Sequence, residues 1–169
     1  MKFKLIVVGK IKEKSLKEMV EEYLKRLSGY VNIEVKELDD ELIKSNPSSG
    51  EIEVVRKKES EKILKHISAK DHLVLFDLNK KELTSEGFAS FLKQKVDNFN
   101  GRLVFAIGGS YGFDEVIRKR ADDSVSLSKM TFPHQLFRLI ALEQIYRAFK
   151  INNNEVYHKW VKNILKNIV

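Results

Sequence analysis

The chain has no cysteine and only two prolines and one tryptophan among its 169 residues. Without cysteine it has no disulfide framework, no thiolate nucleophile and no cysteine-based metal site. No apolar run approaches the roughly 20 residues that a transmembrane helix needs, and the N-terminal run at residues 5–8 is too short for a secretory signal. We therefore expect a metal-independent cytoplasmic protein without a membrane segment.

What is present is the composition of an ordinary globular domain, with 43% hydrophobic and 33% charged residues. The net charge is +7, and its excess is uneven: residues 101–169 hold 11 Lys and Arg against 6 Asp and Glu, whereas residues 1–100 hold 20 against 18. This balance favours a polyanionic partner such as RNA, because phosphate contacts supply most non-specific affinity. A lysine-rich surface that serves solubility alone is the alternative.

Strand-like and helix-like patterns alternate along the chain, which predicts an α/β fold with a mainly parallel sheet and helices on both faces. A mobile loop is expected around residues 39–50. The predicted strands are residues 2–8, 31–35, 72–78, 103–107 and 124–127. The predicted helices are one capped by Ser15, one over residues 51–67, one capped by Thr84 or Ser85, and one over residues 133–150.

Two loops follow two of these strands and form the candidate site. Gly108, Gly109 and Gly112 come directly after the buried strand 103–107, and residues 128–132 follow the short strand 124–127. Ligands of open α/β sheets bind beyond the carboxyl ends of the strands, and glycine lets a ligand approach the backbone. A plain tight turn is the alternative for the glycine loop.

The helix over residues 133–150 is apolar on almost all sides, with Leu139, Leu142 and Tyr146 among its polar positions. We expect part of it to pack on a second subunit in a homodimer. A central core helix is the alternative. His134 at its start is interpreted as a structural cap or a dimer contact.

Several common sites are disfavoured by their missing patterns. A Rossmann domain carries its glycine fingerprint at the first strand-to-helix turn, where this chain has only Gly9 among lysines. The chain also lacks a phosphate loop of the G-x-x-x-x-G-K-[ST] type, a zinc-ligand spacing, an internal repeat and a helix-turn-helix signature.

Three motifs, in this order, carry a resemblance: FAIGGSYG, then SLSKMTFPHQLFRLIALEQIYRAFKI, then VYHK. Together with the N-terminal KLIVVGKIKEK they are similar to the RlmH (YbeA) family of SPOUT methyltransferases, over nearly the whole chain. The resemblance implies a SPOUT-type α/β fold with a deep C-terminal trefoil knot, a rare exception to unknotted topology. It also implies S-adenosylmethionine-dependent methylation of N3 of a pseudouridine in 23S ribosomal RNA, in the large subunit or the assembled ribosome.

The resemblance also implies site residues. Roles in catalysis or RNA binding fall on Tyr157, His158, Lys159 and Arg138: His158 as proton acceptor or phosphate contact, Tyr157 in stacking or hydrogen bonding, Lys159 and Arg138 on phosphate or the imide anion. From the residues alone, a solvated tail residue is the alternative for His158, and the reading favoured for Phe76 is a core residue. The implied contacts to S-adenosylmethionine are Phe76, Gly108, Leu127, Ser128, Lys129, Met130, Thr131 and Phe132.

The chain continues beyond the point where family members usually end. We therefore expect one methyltransferase domain over residues 1–160 and a C-terminal extension over residues 161–169 with helical spacing of apolar residues. Two other functions stay open: a non-enzymatic ribosome-binding protein that retains the knot pocket, and an ordinary nucleotide-binding α/β domain.

Overall fold

The structure, a computed structural model, describes residues 2–78 and 80–157. Within them the chain alternates between five strands and five helices; the alternation is as the sequence predicts, with one helix more than the four predicted. The strands are β1 (Lys2–Val8), β2 (Asn32–Leu38), β3 (His72–Phe76), β4 (Arg102–Ile107) and β5 (Asp123–Val125). The helices are α1 (Lys14–Leu27), α2 (Ser49–Leu64), α3 (Ser85–Asn98), α4 (Glu115–Arg120) and α5 (His134–Asn152).

The strands form a single parallel sheet in the order β2-β1-β4-β3-β5. This arrangement confirms the predicted α/β class. Because the strands are parallel, their carboxyl ends lie along one edge, and the segments that follow β3, β4 and β5 lie side by side there. The C-terminal trefoil knot implied by the resemblance stays a prediction.

Helices cover both faces of the sheet because β1, β3 and β4 are apolar on both sides. Phe3, Leu5 and Val7 face the core beneath α1, α3 and α5, whereas Ile6 and Val8 face the core beneath α2 and α4. Alternate side chains of a strand point to opposite faces, so a strand buried on both faces is apolar at successive positions. Strand β2 is at the sheet edge, and it alternates between half-buried and exposed residues.

Polar side chains fix the starts of three helices. Ser48 and Glu51 form a capping box at α2, and Thr84 accepts a hydrogen bond from the N–H of Gly87 at α3. Asp114 caps α4, a helix that the sequence did not predict. With six residues and only Ile117 fully buried, α4 is too short to show a helical period.

The boundaries of most elements differ from those predicted by one to three residues; β2, for example, covers Asn32–Leu38 instead of residues 31–35. Helix α1 begins one residue before Ser15, and Glu13 at its N-cap makes no side-chain capping bond. Strand β3 ends at Phe76, because Asp77 leaves the strand to donate its N–H to the carbonyl oxygen of Val125. Helix α2 covers Ser49–Leu64 instead of residues 51–67, since its capping box fixes an earlier start.

Helix α5 crosses one face of the sheet between α1 and α3. Ala141, Leu142, Ile145 and Ala148 are completely buried there, which matches the central core helix that the sequence left as an alternative. Leu136 near the helix start is 39% exposed, so a surface for a second subunit remains. Among the described residues, no helix is both long and apolar enough to cross a membrane.

Candidate functional site

A cavity of about 370 Å³ opens at the carboxyl ends of β3, β4 and β5. The glycine loop (residues 108–112) forms one side of it, and the second loop (residues 126–133) forms another. The expectation that these two loops share one cavity is therefore confirmed. Five of the eight residues that the resemblance assigns to the cofactor line it: Phe76, Gly108, Leu127, Thr131 and Phe132.

The glycine loop leaves little room for a side chain at Gly108 and Gly109. A Cβ atom at Gly108 would lie 3.2 Å from the carbonyl carbon of Gly112, and one at Gly109 would lie 2.5 Å from Oε2 of Glu59. Gly112 has a φ of +77°, a conformation that favours glycine, and its N–H donates to the carbonyl oxygen of Gly109. The glycine loop is therefore both a tight turn and a wall of the cavity.

The second loop is held by its own serines. The Ser126 hydroxyl donates to the carbonyl oxygen of Ser128, and the Ser128 hydroxyl accepts from the N–H of Met130 at 2.9 Å. Ser128, Lys129 and Met130 do not line the cavity; Met130 is 71% exposed, and Lys129 lies 3.8 Å from Glu82. In the predicted cofactor segment 127–132, Leu127, Thr131 and Phe132 therefore line the cavity, and the three residues between Leu127 and Thr131 do not.

Aromatic rings form the apolar wall of the cavity. Phe137 lies edge-on to Phe76 and stacks on Phe132, with ring centroids 5.8 and 6.3 Å apart. Phe76 also stacks on Phe105 of β4 at 5.5 Å. Phe76 thus belongs both to the core and to the cavity wall, which joins the two readings that the sequence left open.

Charged residues that the sequence reasoning missed stand at the cavity rim. Buried Asp77 accepts a 2.8 Å hydrogen bond from Nε of Arg118, and Nε of Arg56 donates to the carbonyl oxygen of Tyr111 at 2.6 Å. Asp77 was detectable as the first polar residue after a buried strand. Arg56 had no such signal, because the packing of α2 brings it to a loop 55 residues further along the chain.

His134 also lines the cavity, although its sequence context suggested a cap or a dimer contact. Its ring lies against Gly9, where an added Cβ would come within 2.9 Å of Nε2. Pro133, not His134, occupies the N-cap of α5. A histidine therefore stands between the end of β1 and the cavity.

The structure places Arg138, to which the resemblance assigns catalysis and RNA binding, in the protein interior. Its side chain is 1% exposed, forms an ion pair with Glu37 and donates a 2.6 Å hydrogen bond to the carbonyl oxygen of Gly9. It does not line the cavity. These contacts connect α5 to the ends of β1 and β2, so Arg138 holds the fold together.

Tyr157 also lies away from the cavity of its own chain. Its hydroxyl is 3.3 Å from that of Tyr23 and 3.2 Å from Oε1 of Glu143, and the Arg147 guanidinium lies over its ring. Glu143 is nine residues along α5 from His134, a rise of roughly 14 Å. Burial and the hydrogen bond with Tyr23 raise the pKa of Tyr157 well above its usual value. Tyr157 does not line the cavity of its own chain, and its role in catalysis stays a prediction. His158, Lys159 and the extension 161–169 lie outside the described residues.

A smaller cavity of about 120 Å³ adjoins the first. Gly109, Ser110, Tyr111 and His134 line both cavities, and Glu59 of α2 lines the smaller one. Burial raises the pKa of the Glu59 carboxyl and outweighs the hydrogen bond that it accepts from the N–H of Glu41.

Among residues 2–78 and 80–157, no group of three or more His, Asp or Glu side chains is placed to hold a metal ion.

The fold and the cavity define a class: an α/β protein with a cavity beyond parallel strands where glycine-rich and serine-containing loops meet, the usual place for a ligand in such sheets. A family described as "Predicted SPOUT methyltransferase" matches residues 1–158. The chain belongs to the SPOUT methyltransferase family.

Relatives are similar over almost the full chain. The Ribosomal RNA large subunit methyltransferase H of Ruminiclostridium cellulolyticum is 48% identical over 159 residues, which cover 94% of this chain and 100% of that protein. The proteins of the same name from Carboxydothermus hydrogenoformans and Bacillus cereus (strain B4264) are 50% and 46% identical with the same coverage. These matches confirm the family resemblance seen in the three motifs.

Proposed function

We propose that this protein transfers a methyl group from S-adenosylmethionine to N3 of a pseudouridine in the 23S ribosomal RNA of the large ribosomal subunit. The proposal rests on one observation above all: the glycine loop and the second loop enclose the same cavity. Membership of the SPOUT methyltransferase family supports methyl transfer, and the name of the relatives supports ribosomal RNA as the substrate. Ribosomal RNA as substrate also supports a cytoplasmic location.

The residues of the cavity fit an adenosine-containing methyl donor. A volume of about 370 Å³ is within the usual range for small-molecule sites. Phe76, Leu127 and Phe132 offer apolar walls for an adenine ring, while Gly108 lets the ligand approach the main chain. Ser128, Lys129 and Met130 would contribute through the main chain of the loop, since their side chains lie outside the wall.

The bound cofactor supplies an electrophilic methyl group on a sulfonium. The task of the protein is then alignment, because an in-line displacement depends on holding the nucleophilic nitrogen at near-contact distance from the methyl carbon. The aromatic wall gives this region an apolar surface. We assign His158 the acceptance of the imide proton or a phosphate contact, and Lys159 an RNA phosphate contact.

A homodimer through the helix at residues 133–150 is part of the proposal. The exposed Leu136 at the start of α5 and the exposed Met130 just before it support such a surface close to the cavity. Tyr157 packs against Glu143, too far along α5 from His134 to reach the cavity of its own chain, so its assigned role depends on a second subunit. A small subunit gains RNA-binding surface from its partner in this arrangement.

The direct test has two stages. Isothermal titration calorimetry with S-adenosylhomocysteine, with ATP and NAD as comparison ligands, measures whether the cavity prefers the methyl donor's scaffold. Labelled methyl transfer from S-adenosylmethionine is then assayed on free ribosomal RNA, large subunits and assembled ribosomes. We expect binding of S-adenosylhomocysteine alone and label on a pseudouridine of the large-subunit RNA. Preference for ATP or NAD would overturn the proposal, and binding without transfer would favour a non-enzymatic ribosome-binding protein.

A further inference from the structure

The smaller cavity contains a carboxyl group whose polar atoms are only half used. Glu59 is 3% exposed, and its Oε1 accepts a 3.0 Å hydrogen bond from the N–H of Glu41. Its Oε2 has no hydrogen-bond partner within the described residues and lies against Gly109. A buried carboxyl oxygen without a partner is costly, and structures retain such a group where a ligand or a mechanism uses it.

The charge around Glu59 favours a cation. Glu41, which also lines this cavity, is already paired with Lys58 and Lys62, the latter at 2.6 Å. Glu59 itself forms no ion pair within the described residues. A small ammonium group at the Gly109 edge of the cavity would give Oε2 both a hydrogen-bond donor and a compensating charge.

Arg56 stands one helical turn before Glu59 on α2. It lines the larger cavity, whereas Glu59 lines the smaller one, and the loop residues Gly109 to Tyr111 border both. Side chains three positions apart on a helix lie on the same side, with Cβ atoms roughly 5–6 Å apart. The guanidinium uses its Nε–H on Tyr111 and has four further N–H donors suited to a carboxylate.

We propose that α2 recognises the amino-acid end of the cofactor, with Arg56 binding its carboxylate and Glu59 binding its ammonium group. This inference rests on the proposed use of S-adenosylmethionine. A zwitterionic amino-acid group carries its ammonium and carboxylate groups on the same carbon atom, and a basic and an acidic side chain one turn apart can contact both. The glycine loop borders both cavities, so it would lie along the ligand's methionine chain.

The test compares two ligands that differ at this end. S-adenosylhomocysteine carries the amino-acid group, and methylthioadenosine has the adenosine and sulfur without it. Calorimetry is performed on the wild type, Glu59→Gln, Arg56→Met and Glu61→Gln; the last is a matched control, because Glu61 is an exposed residue on the same helix. We expect E59Q and R56M each to lower the affinity for S-adenosylhomocysteine about tenfold or more, and that for methylthioadenosine less than about twofold. E61Q should change neither affinity.

The outcomes separate this inference from the proposed function. If the wild type binds neither ligand, the proposed function fails. If it binds S-adenosylhomocysteine and the two variants bind it equally well, the recognition by α2 is overturned while the function stands. An equal loss for both ligands would mean that Arg56 or Glu59 only supports the loop, which also overturns the inference. An R56M variant that binds both ligands normally but methylates RNA more slowly at saturating cofactor would assign Arg56 to the RNA instead.

Discussion

The guanidinium of Arg138 donates a 2.6 Å hydrogen bond to the carbonyl oxygen of Gly9. This bond joins α5 to the end of β1, and the ion pair of the same guanidinium with Glu37 joins it to β2. In the sequence Arg138 looks like a phosphate contact, but in the structure its guanidinium binds these two partners inside the protein. The role of a charged residue on an amphipathic-looking helix depends on which neighbour covers it.

Replacing Arg138 should therefore weaken the fold. We expect Arg138→Met to lower the free energy of unfolding by about 2–3 kcal/mol, because the carbonyl oxygen of Gly9 loses its charged donor inside the protein. Urea unfolding followed by circular dichroism measures this. Arg26→Met is the control, since Arg26 pairs with Glu22 on the surface of α1 and should change stability little. An R138M variant of unchanged stability that has lost methyl transfer would instead support a direct catalytic role for Arg138.

Gly109 should not tolerate a methyl group. In Gly109→Ala the new Cβ would lie 2.5 Å from Oε2 and 3.0 Å from Cδ of Glu59, so the buried carboxyl would have to move. We expect a loss of about 1–3 kcal/mol in the free energy of unfolding. Gly50→Ala is the matched control, because nothing lies within 4 Å of its added Cβ in the first turn of α2; it should stabilise by a few tenths to about 1 kcal/mol. Equal stability of both variants would contradict the close approach of Glu59.

Phe132 and Met130 of the second loop allow a residue of the cavity wall to be compared with one outside it. Phe132→Ala removes an aromatic side chain that lines the cavity, so we expect the affinity for S-adenosylhomocysteine to fall about tenfold. Met130→Ala alters a side chain that is 71% exposed and outside the cavity wall, so its affinity should stay within about twofold of the wild type. Calorimetry measures both. A larger loss for M130A than for F132A would reverse the placement of the loop.

The ion pair between Asp71 and Arg102 should appear in the pH dependence of stability. Burial opposes ionisation of Asp71, but the two hydrogen bonds from Arg102, at 3.0 and 2.5 Å, and one from the N–H of Ser68 outweigh it, so the pKa of Asp71 lies below its usual value. A carboxyl with a lowered folded-state pKa stabilises the fold above its unfolded pKa, near 4, and loses this contribution as the pH falls further.

We expect Asp71→Asn to lower the free energy of unfolding by about 1–3 kcal/mol at pH 7, and the difference from the wild type to shrink below about pH 4. Denaturant titrations between pH 7 and pH 2.5 measure it. Asp97→Asn is the control, because Asp97 is exposed and pairs only with Lys93 on the surface of α3. A difference that grows as the pH falls would contradict the assigned sign.

The proposed dimer predicts a specific sensitivity near the start of α5. Leu136→Asp places a charge at a residue that is 39% exposed, so the monomer should fold while a subunit interface there is disrupted. Sedimentation velocity should show a shift to monomer together with a loss of RNA methylation. Val116→Asp, at an exposed position on α4 on the opposite face of the sheet, is the control and should change neither. Full activity of a proven L136D monomer would refute the dimer requirement.

Sequence reasoning predicted which helices and strands form better than it predicted how they pack against one another. Uninterrupted apolar runs predicted β1, β3 and β4 because these strands are buried on both faces, and the capping signal of Thr84 correctly located the start of α3. It missed α4, whose six residues show no periodicity, and it left α5 open between core and subunit interface. A helix that is apolar on all sides is expected to be covered on all sides, but the pattern does not indicate whether its own chain or another subunit covers it.

The sequence by itself determined the parallel α/β class, the family and the two loops of the cavity, because buried strands, glycine turns and the three motifs are local patterns. Only the tertiary structure decided that Arg138 is interior, that Tyr157 lies away from its own chain's cavity, and that Arg56 and Glu59 of α2 lie at the glycine loop. These contacts join residues that are some 14 to 129 positions apart. Such pairings follow from the strand order and the packing of helices on the sheet, which no local pattern records.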